Sequence, residues 1–145
     1  MGSTPAWKML PSDADFIYFA RGIEIETKKA CKSFGKSNTF YIGVPLSESA
    51  TRIHRFLKLG NGIRYPRNQH EVQMRRDWMI KAKGELEFFI SELEVAKELT
   101  PKKTEQNSKG MDFGILEVIS GLCKKELGLI KGIIESDLKR YVNLP

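Results

Sequence analysis

Residues 64–76, RYPRNQHEVQMRR, hold four of the chain's eight arginines, Arg64, Arg67, Arg75 and Arg76, with His70 among them. Guanidinium groups have a planar donor fork that suits bidentate phosphate contact, and they stack on aromatic rings and bases. Tyr65 and Trp78 close by offer either stacking surface for single-stranded RNA or ordinary packing. The stretch also reads as the start of a helix. Pro66 stops what precedes it, and Asn68 is a good N-cap with Glu71 at capping-box spacing. A helix N-terminus favours negative charge by roughly 0.3–1 kcal/mol per group, so cations crowded there oppose the dipole unless an anion neutralises them. Nucleic-acid backbone is a common anion of that kind.

The charge outside this stretch sharpens the point. Residues 52–83 carry nine cations (Arg52, Arg55, Lys58, Arg64, Arg67, Arg75, Arg76, Lys81 and Lys83) against two acids, Glu71 and Asp77, a net +7. The rest of the chain is close to neutral at −1, so the overall +6 comes from this one window. A localised basic surface is the footprint of a polyanion partner; the alternative is a solubilising face. The candidate nucleic-acid-binding residues are these nine cations together with His70.

Catalysis has a thinner basis. Arg64 and His70 are separated by five residues, which fits the loose arginine–histidine pattern of the helical HEPN-type ribonucleases. In those, a histidine acts as general acid or base and an arginine steadies phosphate charge. With eight arginines in the chain, such a spacing arises readily by chance. The two histidines, His54 and His70, are too few for a zinc site, and no Glu-x-x-His pair for a di-iron bundle is present. No Gly-rich phosphate loop or Gly-x-Ser-x-Gly occurs. The reading is of a non-enzymatic protein without metal or cofactor, with Cys31 and Cys123 as reduced thiols.

Four helices are expected to position these residues: about 12–34, 46–59, 68–99 and 111–141, after a flexible tail over 1–11. The first has Phe16, Phe19, Ala20, Ile23, Thr27, Ala30 and Phe34 on one face, with Ser12 as cap and Gly35 as stop. The connector GKSNTFYIGVP should be packed down by Phe40, Tyr41 and Ile42. The second helix turns Ala50, Ile53, Phe56 and Leu57 inward and ends at the GNG of 60–62. Along the third, Val72, Arg75, Met79, Ala82, Leu86, Phe89, Leu93 and Ala96 step in threes and fours, the spacing of a shallow bundle crossing. Arg75 falls on that apolar stripe, so it either pairs with an acid such as Glu126 or snorkels to the bundle end. The fourth offers Ile115, Val118 or Ile119, Leu122, Leu129, Ile130, Ile133 and Leu138. The fold class is all-α, an antiparallel up-and-down four-helix bundle, whose two long helices span roughly 45 Å.

The fourth helix also carries Gly114, Gly121 and Gly128 at intervals of seven, with Gly132 a turn later. Each costs about 1 kcal/mol against alanine in a helix interior. Close helix–helix approach inside the bundle, or close approach of a neighbouring subunit, would account for them. With 145 residues the chain makes one domain. Its apolar runs are too short to span a membrane, and the N-terminus lacks the pattern of a secretory signal, so a cytoplasmic protein is expected.

The sequence further resembles a known family. Ile63-Arg64-Tyr65-Pro66, then Glu71, Arg75 or Arg76, Ala82 and Glu92-Leu93 on the third helix, and Lys125 through Gly132 on the fourth, are similar to small four-helix-bundle proteins. That family comprises the accessory variability determinant proteins of diversity-generating retroelements and the proteins encoded in ribosomal-RNA intervening sequences. The resemblance covers residues 12–141. It implies a basic, barrel-like homopentamer, non-catalytic, that binds a reverse transcriptase and template RNA or an RNA/DNA hybrid. Two departures stand out: the basic excess is concentrated, and the fourth helix is richer in glycine. The alternatives are a protein–protein adaptor whose basic end docks an acidic partner, and a HEPN-like ribonuclease that would depend on His70.

Overall fold

In the computed structural model of the chain, residues 15–35, 38–99 and 113–145 are described. They form four α-helices: α1 (Asp15–Lys32), α2 (Val44–Asn61), α3 (Gln69–Leu99) and α4 (Phe113–Arg140). A single π-helical turn, Thr39–Gly43, leads into α2. No strand occurs among the described residues. The expected tail and the Ser12 cap lie outside them.

Each helix packs on two neighbours: α1 on α2, α2 on α3, α3 on α4, and α4 back on α1. Contacting pairs run in opposite order along neighbouring helices, which fits the up-and-down arrangement. His54 of α2 lies 3.6 Å from Glu24 of α1, and Cys31 Sγ donates to the Gly43 carbonyl at 3.2 Å. Arg52 pairs with Glu85 at 2.6 Å, and Phe56 stacks on Trp78. Between α3 and α4, Arg75 meets Asp137 at 2.7 Å and Lys97 meets Glu117 at 2.5 Å.

The α3 stripe forms the spine of the core. Met79, Ala82, Leu86, Phe89, Leu93 and Ala96 are all buried, as is Arg75. Across from them lie Phe16, Ala20, Ile23, Ala30, Leu46, Ala50, Ile53 and Leu57. On α4 the expected Ile119, Leu122 and Ile130 are buried, and Ile115, Leu129 and Ile133 pack against the core, while Leu138 is exposed and Val118, the alternative to Ile119, points outward; Leu116, Cys123 and two acids, Glu126 and Asp137, complete the buried face. A search for apolar residues alone skips both acids and so leaves gaps in the predicted face.

Helix ends follow local chemistry. The Asn68 side-chain oxygen accepts the Glu71 backbone N–H at 2.9 Å, the cap expected for α3. Helix α2 starts two residues before its predicted start, because the π turn delivers the chain to Val44 already in helical conformation, with Pro45 in its first turn. The GNG segment ends α2 without any left-handed residue. Gly60 lies inside the helix and is small because α3 passes close: a Cβ there would stand 2.9 Å from Met79 Cε and 3.3 Å from Trp78 Cβ. The connector before α2 is held through Ile42 and the buried Gly43, whereas Tyr41 points outward.

Gly121, Gly128 and Gly132 are different. Among the described residues a Cβ at any of them would meet nothing within 4 Å, so close approach of the other described helices does not explain them. They leave the outward side of α4 bare.

Candidate nucleic-acid interface

Arg75 corrects the expected phosphate role. Its side chain is 7% exposed; Nε donates to Asp137 Oδ2 at 2.7 Å and Nη1 to the Ile63 carbonyl at 3.3 Å. It joins α3, α4 and the α2–α3 turn, and its partner is Asp137 in place of the expected Glu126. Glu126 itself is fully buried, and among the described residues neither carboxylate oxygen has a hydrogen-bond partner at good geometry. Burial pushes its carboxyl up to about 9, the negative charge of Asp15 adding to the rise and the Ala20 backbone offsetting part of it.

Three more expected cations are engaged by carboxylates: Arg52 by Glu85, Arg67 by Glu71 at 2.8 Å, and Lys83 by Glu87 at 2.8 Å. The Arg67 hydrogen bond draws the Glu71 carboxyl below its ordinary range. Of the cations at the α3 start, one is built into the core and one is matched by the helix's own first-turn acid.

The remaining six, Arg55, Lys58, Arg64, His70, Arg76 and Lys81, have no carboxylate within ion-pair distance among the described residues. They do not all form one patch. Arg55 and Lys58 flank a shallow depression on the outward side of α2, beside the His54–Glu24 pair. Burial lowers the His54 pKa, and Glu24 opposes that in part. Lys81 holds its ammonium 4.8 Å over the Trp78 ring, whose packing against Phe56 places it on the α2 side of α3. Arg76 lines a groove against α4 on the opposite flank, with Leu138 and Tyr141. His70 is exposed and absent from the cavity that Arg64 lines, so the Arg64–His70 spacing does not become a shared site.

Sequence reasoning missed the arrangement at the bundle end. There Arg64 lies 5.5 Å over the Tyr65 ring, and Arg140 lies 5.9 Å over the Tyr141 ring. Both pairs line one cavity of about 370 Å³ between the α1 start, the α2–α3 turn and the α4 end. The signal was present: Arg-Tyr occurs only at these two places in the sequence. Among the described residues no cluster of three or more metal-ligating side chains occurs, and no helix is long and apolar enough to cross a membrane.

Comparison with protein families, curated proteins and solved structures finds no match to this chain.

Proposed function

We propose that this chain is a non-catalytic nucleic-acid-binding bundle, taking RNA or an RNA/DNA hybrid along the outward side of α2 and the adjoining α2–α3 turn. In keeping with the resemblance in its sequence, it acts as a homopentameric accessory of a reverse transcriptase. One observation carries the reading: cations without carboxylate partners among the described residues sit over aromatic rings, Lys81 on Trp78 and Arg64 on the exposed Tyr65, with Arg55 and Lys58 on the neighbouring helix. Unneutralised charge beside a flat apolar face is the chemistry of a surface that grips phosphates and stacks bases.

The test is binding of a structured RNA across about 50–300 mM salt, comparing the native chain with the triple variant Arg55→Glu, Lys58→Glu, Lys81→Glu. Each lost phosphate contact should flatten the log–log salt slope by roughly 0.7–0.9. Equal slopes for both proteins, or no binding at about 50 mM salt, would sink the proposal. Light scattering at a fivefold multiple of 16.5 kDa is the expected mass; a monomer removes the pentamer.

A second reading, an adaptor for another protein, is favoured by Ile80, Phe88 and Val95, which are large, apolar and exposed on the outward side of α3. It predicts no loss of partner binding in the triple charge variant.

A further inference from the structure

Helix α3 carries a second stripe, on the side away from the core. Ile80, Gly84, Phe88, Ser91 and Val95 recur in steps of four, four, three and four, the spacing that holds one face of a helix against a neighbouring helix. All five are exposed, the large ones by 48% at Ile80, 52% at Phe88 and 41% at Val95. Large and small side chains alternate along the stripe, so the bulky residues have open places between them. Gly84 costs about 1 kcal/mol against alanine in a helix interior, and among the described residues a Cβ there would meet nothing within 4 Å. No described element requires that glycine, whereas a helix laid along this face would.

The charges on α3 choose the partner. Up to residue 83 the helix carries four lysines and arginines against Glu71 and Asp77; beyond it there are five glutamates against Lys97. A second copy of α3 running in the opposite direction sets the basic half against the acidic half, while a parallel copy sets like against like. Size then fixes the register. With Phe88 of each copy seated over Gly84 of the other, a two-fold axis crosses α3 near residue 86. Ile80 then lies beside Ser91 of the second copy, Lys81 beside Glu92, and Arg76 between Glu94 and Glu98. Val95 falls at the rim, beside the exposed Asp77. A register set by Phe88 and Gly84 alone thus also brings opposite charges together. Among the described residues, neither Arg76 nor Lys81 has a carboxylate within ion-pair distance, and neither Glu92 nor Glu98 has a cation.

We propose that the outward face of α3 pairs with the same face of a second copy of this chain, antiparallel, through Phe88 and Gly84. The contact is isologous, whereas a closed ring of five is built from heterologous contacts. It is therefore separate from the ring proposed above, and it doubles the assembly with or without that ring. Lys81 stands on the α2 side of the contact, so the α2 sides of the two copies adjoin.

Cysteine cross-linking reads the register directly. A mixture of Ile80→Cys and Ser91→Cys chains should form a disulfide-linked pair under mild oxidation, with the native chain as control for Cys31 and Cys123. Each variant by itself should not, since its two copies lie roughly 15–18 Å apart along the helices, beyond disulfide reach. Light scattering from about 1 to 200 µM should show the mass doubling, from one chain to two or from five to ten. Phe88→Glu should abolish the doubling with little change in melting temperature, because more than half of that side chain is exposed. Arg76→Glu should weaken pairing about tenfold at low salt, the symmetry counting the lost pair twice, and adding Glu98→Lys should restore it. A mass that never doubles, doubling without the mixed cross-link, or pairing undiminished in Phe88→Glu overturns the inference. The first of these leaves the face to another protein, as in the second reading above. If the pairing holds while RNA does not bind at about 50 mM salt, the function proposal falls and this contact stands; RNA binding by a chain whose mass never doubles gives the reverse.

Discussion

Arg75 Nε of α3 and Asp137 Oδ2 of α4 lie 2.7 Å apart, with both side chains less than a tenth exposed. A charge that the sequence places among phosphate-binding candidates is the internal tie between the two longest helices.

Buried pairs contribute modestly as a unit, because desolvation offsets most of the attraction, but losing one partner strands the other. Arg75→Ala or Asp137→Ala alone should each destabilise by about 3–5 kcal/mol in urea unfolding. The double replacement Arg75→Met, Asp137→Leu should recover most of that loss. An Arg75 single variant of undiminished stability would contradict the assignment.

Glu126 makes stability depend on pH in an uncommon direction. The folded chain keeps its proton up to about pH 9, while the unfolded chain releases it near the ordinary 4.5. Between those values the native state binds more protons, so this group's contribution to stability falls as pH rises and levels off above about 9. Glu126→Gln cannot ionise. Its stability advantage over the native chain should therefore widen by on the order of 1 kcal/mol per pH unit across that window. Denaturation curves that stay parallel from about pH 5 to 9 would show that the carboxyl does not titrate this way.

The glycines divide into two kinds with different expected outcomes. Gly121→Ala and Gly128→Ala add a methyl group in open space, and each should raise stability by up to about 1 kcal/mol. Gly60→Ala would gain the same propensity but press on Met79 Cε and Trp78 Cβ, a crowding that should cancel the gain of about 1 kcal/mol. Thermal melts of the three variants distinguish the cases, and a stabilised Gly60→Ala would be the failing result.

Both cysteines should resist thiol reagents. Burial pushes Cys31 up to about 11 and Cys123 up to about 12, the Glu126 carboxyl adding to the second. Since the thiolate is the reactive form, colour development with an aromatic disulfide at pH 8 should be slow for the folded chain and rapid in denaturant. Fast release of either thiol from the native protein would count against the packing described.

Much of the fold was legible because α3 is unambiguous. Met79 through Ala96 repeat at a spacing only a helix can use, and all six apolar members are buried. The inward face of α4 was harder, because Glu126 and Asp137 occupy core positions that an apolar pattern leaves blank. The site was less legible still. A run of cations reveals charge but not which carboxylate stands opposite: Glu71 and Glu87 are one turn from Arg67 and Lys83, but Glu85 is 33 residues from Arg52 and Asp137 is 62 from Arg75. The cavity at the bundle end required residues from α1, the α2–α3 turn and α4 together, which no local window contains.

The ring of helices also carries a kinetic consequence. Three of its four seams join helices adjacent in sequence, so they close over short loops and form early. The fourth, α1 against α4, spans most of the chain, and Glu126 with Asp15 lies beside it. The last seam to zip is thus the one holding a carboxyl without a hydrogen-bond partner at good geometry among the described residues. Under native conditions α1 should be the first element to detach and rejoin, exchanging its amide hydrogens well ahead of the α3 spine.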